Sequence, residues 1–221
     1  MRRALLISLA GLLGALLSSP LAGEDKAYVA PKVYHAKTYP AVDDHPMEQV
    51  SVAIDPYDLP DKTAGVLRVN YKDAGLLPIR LIVSNDGDKP VVLTGAKVQL
   101  VTVKNVKIEP SDSDDIYRRI GRPVTRPDEP RKVPLPIPRK VKPRVSKQQQ
   151  DEVENSQFLA KAVEPHSTQA GFLYFDVAGI SNPMAGAHLY VTGVRDSSGQ
   201  ELMYFELPLE KYLSYKPGTN P

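Results

Sequence analysis

Four residues near the N-terminus could in principle hold a metal ion. His35, Asp43, Asp44 and His45 provide imidazole and carboxylate groups, which are ligands for divalent cations. They lie in a segment flanked by prolines and have no regular spacing. A solvated coil with polar residues explains this pattern better than a metal site does. The sequence therefore predicts no metal site here, and it contains no phosphate-binding glycine loop or dinucleotide fingerprint that would predict another cofactor.

Clustered aspartates suggest calcium at two other places. Asp112, Asp114 and Asp115 resemble the start of a calcium loop, but Tyr117 and Pro123 replace the glycine and glutamate that complete such a loop. Capping of a helix explains these aspartates better. The run Asn85-Asp86-Gly87-Asp88 could bind calcium weakly, but it is typical of a hairpin turn, which needs the same residues without a metal.

Two histidines are the remaining candidates for acid–base chemistry. His166 precedes a predicted strand and His188 begins another, but neither has a nucleophile motif or a paired carboxylate signature nearby. The chain has no cysteine, which excludes a thiol nucleophile, a disulfide framework and a cysteine-based zinc site. The sequence thus predicts no catalytic residue and favours a non-catalytic protein. The alternative is a periplasmic enzyme or metal-binding protein that uses His166, His188 and nearby carboxylates.

The strongest signal is a basic, proline-rich segment, residues 118–147, which we call the basic arm. It contains eleven basic residues against Asp128 and Glu129, a net charge of +9, while the rest of the chain after the leader has a net charge of −9. Such segregation predicts contact with an anionic partner. Arginine and lysine side chains within the arm are the candidate contacts: Arg122, Arg126, Arg131, Lys132, Arg139, Lys140, Lys142 and Arg144.

The chemistry of the arm leaves its partner and its conformation open. An anionic envelope polymer, a lipid headgroup, an acidic protein or the protein's own acidic surface would each match its charge. The alternation Val133-Pro134-Leu135-Pro136-Ile137-Pro138 favours an extended polyproline-II path, although the apolar residues could instead pack along the body as a rim strand. An exposed loop without a partner is the third reading. Nucleic acid is disfavoured, because the arm lacks interleaved aromatic residues and the body is acidic.

The first 23 residues have the pattern of a secretory signal peptide. Arg2 and Arg3 precede an apolar run from Ala4 to Leu17, which is followed by small residues and Pro20. The run is shorter than the ~20 residues that a transmembrane helix needs, and no later segment approaches that length. We therefore expect an exported protein, periplasmic or extracellular, without a transmembrane segment after cleavage. Its oligomeric state is not predicted.

Hydrophobic alternation with period two predicts an all-β fold. Short runs of this kind, each bounded by turn residues, occur on both sides of the arm. The predicted strands cover residues 49–54, 65–71, 79–83, 91–93, 97–104, 171–177, 188–194 and 202–207. Asp196-Ser197-Ser198-Gly199 is predicted to be the loop of a hairpin. Seven or eight short strands with these turns are typical of an immunoglobulin-like antiparallel sandwich.

The two halves of the predicted sandwich flank the arm. Residues 48–213 are assigned to one domain with an insertion at 105–156, preceded by an extended N-terminal segment (24–47) and followed by a tail (214–221). Two short helices are expected in the insertion. One begins at Asp112 and ends before Gly121, and the other covers Ser146 to Phe158 with Asp151, Glu152 and Glu154 exposed.

Three segments of this chain resemble a recurring bacterial pattern. They are residues 53–58, residues 77–90 and residues 170–176, which read AIDPYD, LPIRLIVSNDGDKP and AGFLYFD. The pattern is similar to secreted immunoglobulin-like proteins of unknown function, of the kind common in acidobacterial genomes. The resemblance covers both sandwich halves but not the arm. It implies an exported bacterial β-sandwich and no catalytic residue.

Overall fold

The structure is a computed structural model that describes residues 27–121 and 145–213. Within these ranges the chain forms ten strands, three short α-helices and two 3-10 helices, Ala36–Thr38 and Leu209–Tyr212. The strands are β1 Ala41–His45, β2 Val50–Pro56, β3 Leu76–Asn85, β4 Val91–Val92, β5 Lys97–Val101, β6 Lys107–Ile108, β7 Ala162–Val163, β8 Ser167–Asp176, β9 His188–Thr192 and β10 Phe205–Pro208. The helices are α1 Pro60–Ala64, α2 Ser113–Ile120 and α3 Lys147–Ser156.

Two four-stranded antiparallel sheets form the body. The first has the strand order β1-β2-β3-β8, and the second has the order β10-β9-β5-β6. The longest pairing joins β3 to β8, in register from Leu76 opposite Asp176 to Asn85 opposite Ser167. A small pair, β4 with β7, lies beside them. The predicted all-β sandwich is confirmed.

The main core lies between the sheets. Because successive side chains of a strand point to opposite faces, alternate residues of each strand are directed into this layer. From β3 these are Leu77, Ile79, Leu81 and Val83, and they pack in one cluster with residues of the second sheet: Leu100, Leu189, Val191, Phe205 and Leu207. All of them are buried. Burial of about 25 cal/mol per Å² of apolar surface makes this layer the main source of stability.

The outer face of the first sheet is also covered, which explains why β3 is buried along its whole length. An aromatic cluster that includes Tyr71, Phe172 and Tyr174 packs there against α2 and α3. The N-terminal segment crosses the rest of this face. The Arg80 guanidinium donates hydrogen bonds to the carbonyls of Pro31 and Lys32, and the Ala36 N–H donates to Ser84 Oγ at 2.8 Å.

Two details of the chain differ from the sequence prediction. Residues 65–71 are not a strand: they follow α1 as a loop, although alternate residues Leu67, Val69 and Tyr71 are buried. The alternation arises because one side of the loop packs onto the sheet. The backbone N–H groups of the loop donate to a side chain of a helix instead of to a neighbouring strand. In addition, β1 begins within the segment predicted to precede the sandwich and pairs along its length with β2.

Both predicted turns form, but the turn after β3 is not a hairpin as predicted, because β3 pairs with β2 and β8 whereas β4 pairs with β7. Asn85 Oδ1 accepts a hydrogen bond from the Gly87 N–H at 3.0 Å, which closes the turn after β3. Asp196 Oδ1 accepts from the N–H groups of Ser198 and Gln200 in the loop between β9 and β10. Both side chains supply the turn geometry that their sequence predicted.

Candidate functional site

The base of the basic arm is a pair of short helices, α2 and α3, whose N-termini are capped by side chains. The Asp112 carboxylate accepts a hydrogen bond from the Asp115 N–H at 2.7 Å, so the aspartates of this motif cap α2, as predicted. At the start of α3, Ser146 and Gln149 form a reciprocal capping box. Helix α2 ends at Gly121, whose N–H donates to the Tyr117 carbonyl at 3.0 Å, and the capping box marks where the chain enters α3.

The two helices run antiparallel. Gln157 Nε2 after α3 donates to Ser113 Oγ at the start of α2 at 2.9 Å. One turn further along α2, the Tyr117 hydroxyl donates to Glu154 Oε1 at 3.2 Å. The C-terminus of α2 and the N-terminus of α3 therefore lie at the same end of the pair. Residues 122–144 connect these two neighbouring ends.

Apolar and ionic contacts fix the pair to the outer face of the first sheet. Ile116 of α2 and Val153 of α3 are fully buried in the aromatic cluster on that face. Arg119 forms an ion pair with Asp176 at the end of β8, and Arg118 forms one with Asp115 of its own helix. Two of the positive charges counted in the arm are thus engaged with carboxylates of the body.

A fully buried carboxylate joins α3 to the loop before β3. Glu152 is 0% exposed. Its oxygens accept hydrogen bonds from the Arg68 N–H at 2.6 Å, the Val69 N–H at 3.3 Å and the Tyr71 hydroxyl at 2.9 Å. These hydrogen bonds offset the desolvation of the buried carboxylate. They also satisfy backbone N–H groups of the loop before β3, which has no strand partner.

Tyrosines surround this carboxylate in a connected polar cluster. The rings of Tyr71 and Tyr174 lie 4.6 Å apart, and the hydroxyls of Tyr174 and Ser156 lie 2.6 Å apart. Burial raises the pKa of both Tyr71 and Tyr174, and it raises the pKa of nearby Tyr28 to about 12. All three hydroxyls are therefore protonated near neutral pH and can donate hydrogen bonds.

The prediction that Asp151, Glu152 and Glu154 are exposed is correct only for Glu154. Glu152 is fully buried, and Asp151 is half-buried and accepts a hydrogen bond from the Tyr28 N–H at 2.7 Å. The helix turns Glu152, Val153 and Ser156 toward the sheet and leaves Glu154 in solvent. The positions 152 and 156 are one turn apart and share a face, but polar residues at both positions gave no hydrophobic signal. The signal that was present is the single aliphatic residue of this helix, Val153, which marks the buried side.

The candidate partner-binding residues of the arm lie outside the described residues. This applies to Arg122, Arg126, Arg131, Lys132, Arg139, Lys140, Lys142 and Arg144, which belong to residues 122–144. The predicted signal peptide, residues 1–23, and the tail, 214–221, also lie outside them.

The N-terminal histidines and aspartates form two groups, His35 with Asp44 through Asp86 and Lys37, and His45 with Asp43. Asp43, Asp44 and His45 lie on β1 and not in the predicted solvated coil. His35 Nε2 lies 2.7 Å from Asp86 Oδ1, while His45 Nε2 lies 3.6 Å from Asp43 Oδ1. Asp44 accepts from Ser51 and pairs with Lys37. In the described ranges no group of three or more histidine or acidic side chains is arranged to hold a metal ion.

The two histidines of the alternative reading also lie in different settings. His166 Nε2 is 3.0 Å from Asp88 Oδ1 at an exposed turn. His188 Nδ1 is 2.9 Å from Glu206 Oε1 on the second sheet, and the same oxygen accepts from the Tyr190 hydroxyl at 2.7 Å. Each histidine has a single carboxylate neighbour in the described structure. The sequence did not anticipate either pair, because both partners are distant along the chain.

None of the helices within residues 27–121 and 145–213 has the length and apolar composition needed to cross a membrane.

The chain can be compared with family models, with curated proteins and with solved structures. No family model matches the chain, and no curated protein matches it. Among solved structures, a crystal structure of a conserved hypothetical protein from Bacillus anthracis is similar at 11% sequence identity and a TM-score of 0.27. The alignment covers 72% of this chain and 87% of that chain.

Proposed function

We propose that this protein is a non-catalytic, exported module of the bacterial envelope, in which an immunoglobulin-like sandwich holds out a basic loop that contacts an anionic partner. The observation on which the proposal rests is the segregation of charge, +9 in residues 118–147 against −9 in the rest of the chain after the leader. Arginine pairs with phosphate and carboxylate groups through two parallel hydrogen bonds, so a cluster of arginines suits such a partner.

The helix pair supports this role because it anchors the arm at both ends. Arg118 and Arg119 pair with Asp115 and Asp176, so the charges left for a partner are the exposed Lys147 and the eight basic and two acidic residues of 122–144. That segment contains five of the arm's arginines and begins and ends on helices fixed to a buried core. A partner that binds the loop is thereby linked to a rigid domain.

The order of strands supports the immunoglobulin-like part of the proposal. Strands β2, β3 and β8 adjoin in one sheet, as strands A, B and E do in such sandwiches, and β10-β9-β5-β6 matches the order G, F, C and C′. In this correspondence the arm is an insertion between C′ and E. Strand β1 is an addition at the edge beside A.

The decisive experiment compares three forms of the protein without residues 1–23. They are the chain without any further change, called the complete protein below, a form lacking residues 122–142, and a form in which the eight basic residues of 122–144 are changed to glutamine. Retention would be measured by sedimentation with phosphatidylglycerol vesicles, with phosphatidylcholine vesicles, and with lipopolysaccharide. We expect the complete protein to be retained on the two anionic surfaces, less so as salt is raised, and both altered forms to be lost from them.

Circular dichroism and thermal unfolding serve as the folding control. If the deleted and glutamine forms fold normally and are retained as well as the complete protein, the arm is not the contact and the proposal is wrong. Retention of the complete protein on phosphatidylcholine to the same extent would also contradict it, because charge would then not be the cause.

A further inference from the structure

Two neighbouring loops at one end of the sandwich contain no acidic residue. They are the turn between β5 and β6 and the loop between β8 and β9. Val101, the last residue of β5, pairs with His188, the first residue of β9, so both loops lie at the same end of the second sheet. They also touch, because a Cβ atom at Gly186 would lie 3.2 Å from Val103 Cγ2. We call residues 102–107 and 177–187 together the end surface.

The turn between β5 and β6 exposes two valines. Val103 is 69% exposed and Val106 is 50% exposed. Turns are dominated by glycine, proline, asparagine, aspartate and serine, whereas valine is enriched in strands, where it packs on a half-buried surface. Two exposed valines in one short turn therefore contribute little to the core, and such clustered apolar side chains are typical of a contact surface.

Hydrogen bonds to Thr102 fix the shape of this turn. The Thr102 N–H donates to the Val106 carbonyl at 3.0 Å, and the Asn105 N–H donates to the Thr102 carbonyl at 2.8 Å. The Val106 N–H donates to Thr102 Oγ1 at 3.2 Å. Asn105 has a φ of 59°, which asparagine tolerates better than most residues. The two valines are thus held in solvent by an ordered turn.

The charge of the end surface is opposite to that of the body. Its charged residues are two exposed lysines, Lys104 and Lys107, and it lies on a body of net charge −9. Neither lysine forms an ion pair with a residue in the described ranges. A lysine beside an apolar patch can keep its ammonium group at an anionic layer while its carbon chain lies along apolar groups.

The basic arm begins beside the same surface. Pro110, which follows β6, bridges to Phe175 near the end of β8. Helix α2 then brings Arg119 to an ion pair with Asp176, the last residue of β8 and the residue before loop 177–187. Because α2 ends two residues after Arg119, the first residues of the segment 122–144 are joined to the body at this end. A broad anionic surface that contacts the arm there would also face the exposed valines.

We propose that the anionic partner is the surface of a phospholipid bilayer, and that Val103 and Val106 enter its interfacial layer while Lys104, Lys107 and the arm contact the headgroup phosphates. This inference rests on the proposed function and names the partner. Membrane surfaces bind proteins through buried apolar side chains together with attraction between basic residues and anionic lipids. A soluble acidic protein or polysaccharide would supply the charge but no apolar layer for the valines.

The first test uses tryptophan fluorescence, because the chain contains no tryptophan. Val103→Trp places a single reporter in the end surface. Met203→Trp is the matched control: Met203 is 68% exposed and precedes β10 at the opposite end of the second sheet, since Pro208 at the other end of β10 pairs with His188. With phosphatidylglycerol vesicles that carry brominated acyl chains, we expect a blue shift and quenching for Val103→Trp and neither for Met203→Trp.

The second test removes the apolar groups without changing the charge. We expect Val103→Ser combined with Val106→Ser to lower the affinity for phosphatidylglycerol vesicles about fivefold, because less apolar surface enters the bilayer. Binding to dextran sulfate, a soluble polyanion without an apolar layer, should not change, because the arm is intact. Met203→Ser should alter neither measurement.

The outcomes separate this inference from the proposed function. If the complete protein binds phosphatidylglycerol vesicles but the tryptophan at position 103 is not quenched, or the double serine form binds them equally well, the arm acts alone and only the inference is overturned. Equal quenching in Met203→Trp, or binding to dextran sulfate without binding to vesicles, would overturn it as well. Absence of binding to every anionic surface would overturn the proposed function and this inference with it.

Discussion

At the scale of single residues, Glu152 is the group whose surroundings matter most. A buried carboxylate is tolerated only when several donors point at it, and here two backbone N–H groups and the Tyr71 hydroxyl do so. We expect Glu152→Gln to lower the free energy of unfolding by about 1–3 kcal/mol, since an amide nitrogen would replace one acceptor oxygen facing backbone donors. Urea denaturation measures this.

Glu154→Gln is the matched control for that change. It lies on the same helix, is exposed, and keeps an amide oxygen to accept from Tyr117. We expect its effect to be below about 0.5 kcal/mol. Equal stabilities of the two variants would show that the buried carboxylate is not what joins α3 to the loop.

A second residue-scale prediction concerns acid pH. Hydrogen bonds from His35 and Lys37 hold the pKa of Asp86 below its ordinary value. An acid with a lowered pKa stabilises the fold above the unfolded pKa, ~3.9, and that contribution is lost as pH falls through the folded pKa. We therefore expect the N-terminal segment to detach from the turn after β3 in this acidic range.

Hydrogen exchange at the Ala36 amide, which is bonded to Ser84 in the same region, measures that detachment. Asp86→Asn should abolish the acid-dependent step by weakening the contact at every pH. Asp88→Asn changes an exposed carboxylate of the same turn and should leave the step in place. An unchanged step in Asp86→Asn would assign it to another group.

The residue scale also shows what sequence can and cannot predict. Caps and turns such as Asp112 and Asn85 were predictable, because each side chain bonds to backbone within three residues. Glu152 was not, because its donors are 81 to 84 residues away and only the fold brings them together.

At the scale of elements, the close approach of the segment after α3 to β8 gives a direct test. Gly171→Ala would drive a methyl group into the Phe158 backbone, and we expect a loss of about 1–3 kcal/mol. Gly65→Ala is the control. Nothing lies within 4 Å of its Cβ and its φ is −81°, so it should be neutral or slightly stabilising.

Chemical denaturation of the two alanine variants separates crowding from a general intolerance of substitution at glycine. Similar stabilities would mean that the chain after α3 can move away from β8 at little cost.

Period-two patterns locate most elements of this fold but do not identify the partner of each. Residues 79–83 and 188–194 were correctly predicted as strands, and the structure contains β3 and β9 there. Residues 65–71 have the same alternation and form a loop instead, because the pattern records which side chains are buried and not what bonds to the backbone. Segments that are distant along the chain determine which sheet face the loop covers and which side chain accepts hydrogen bonds from its N–H groups.

At the scale of the whole molecule, the antiparallel helix pair predicts that the arm is dispensable for folding. The ends of α2 and α3 to which it connects lie at the same end of the pair, so a short Gly/Ser linker can replace residues 122–144. Loop-closure entropy changes only slowly with length. We expect the shortened protein to unfold in one cooperative transition with a melting temperature within a few degrees of the original, measured by calorimetry. Loss of the transition would show that the arm is part of the fold.

The opposite result is expected when the chain is divided at the insertion. Residues before it provide β3 and β5, and residues after it provide their neighbours β8 and β9, so each sheet is assembled from both halves. A fragment ending at Lys104 would expose one edge of β3 along ten residues, both edges of β5, and the apolar faces of both strands. We expect it to be unfolded or aggregated, with no cooperative transition by circular dichroism. Adding the separate fragment 145–213 should restore a transition if the halves recombine, whereas cooperative unfolding of the first fragment alone would mean that the chain contains two domains rather than one sandwich.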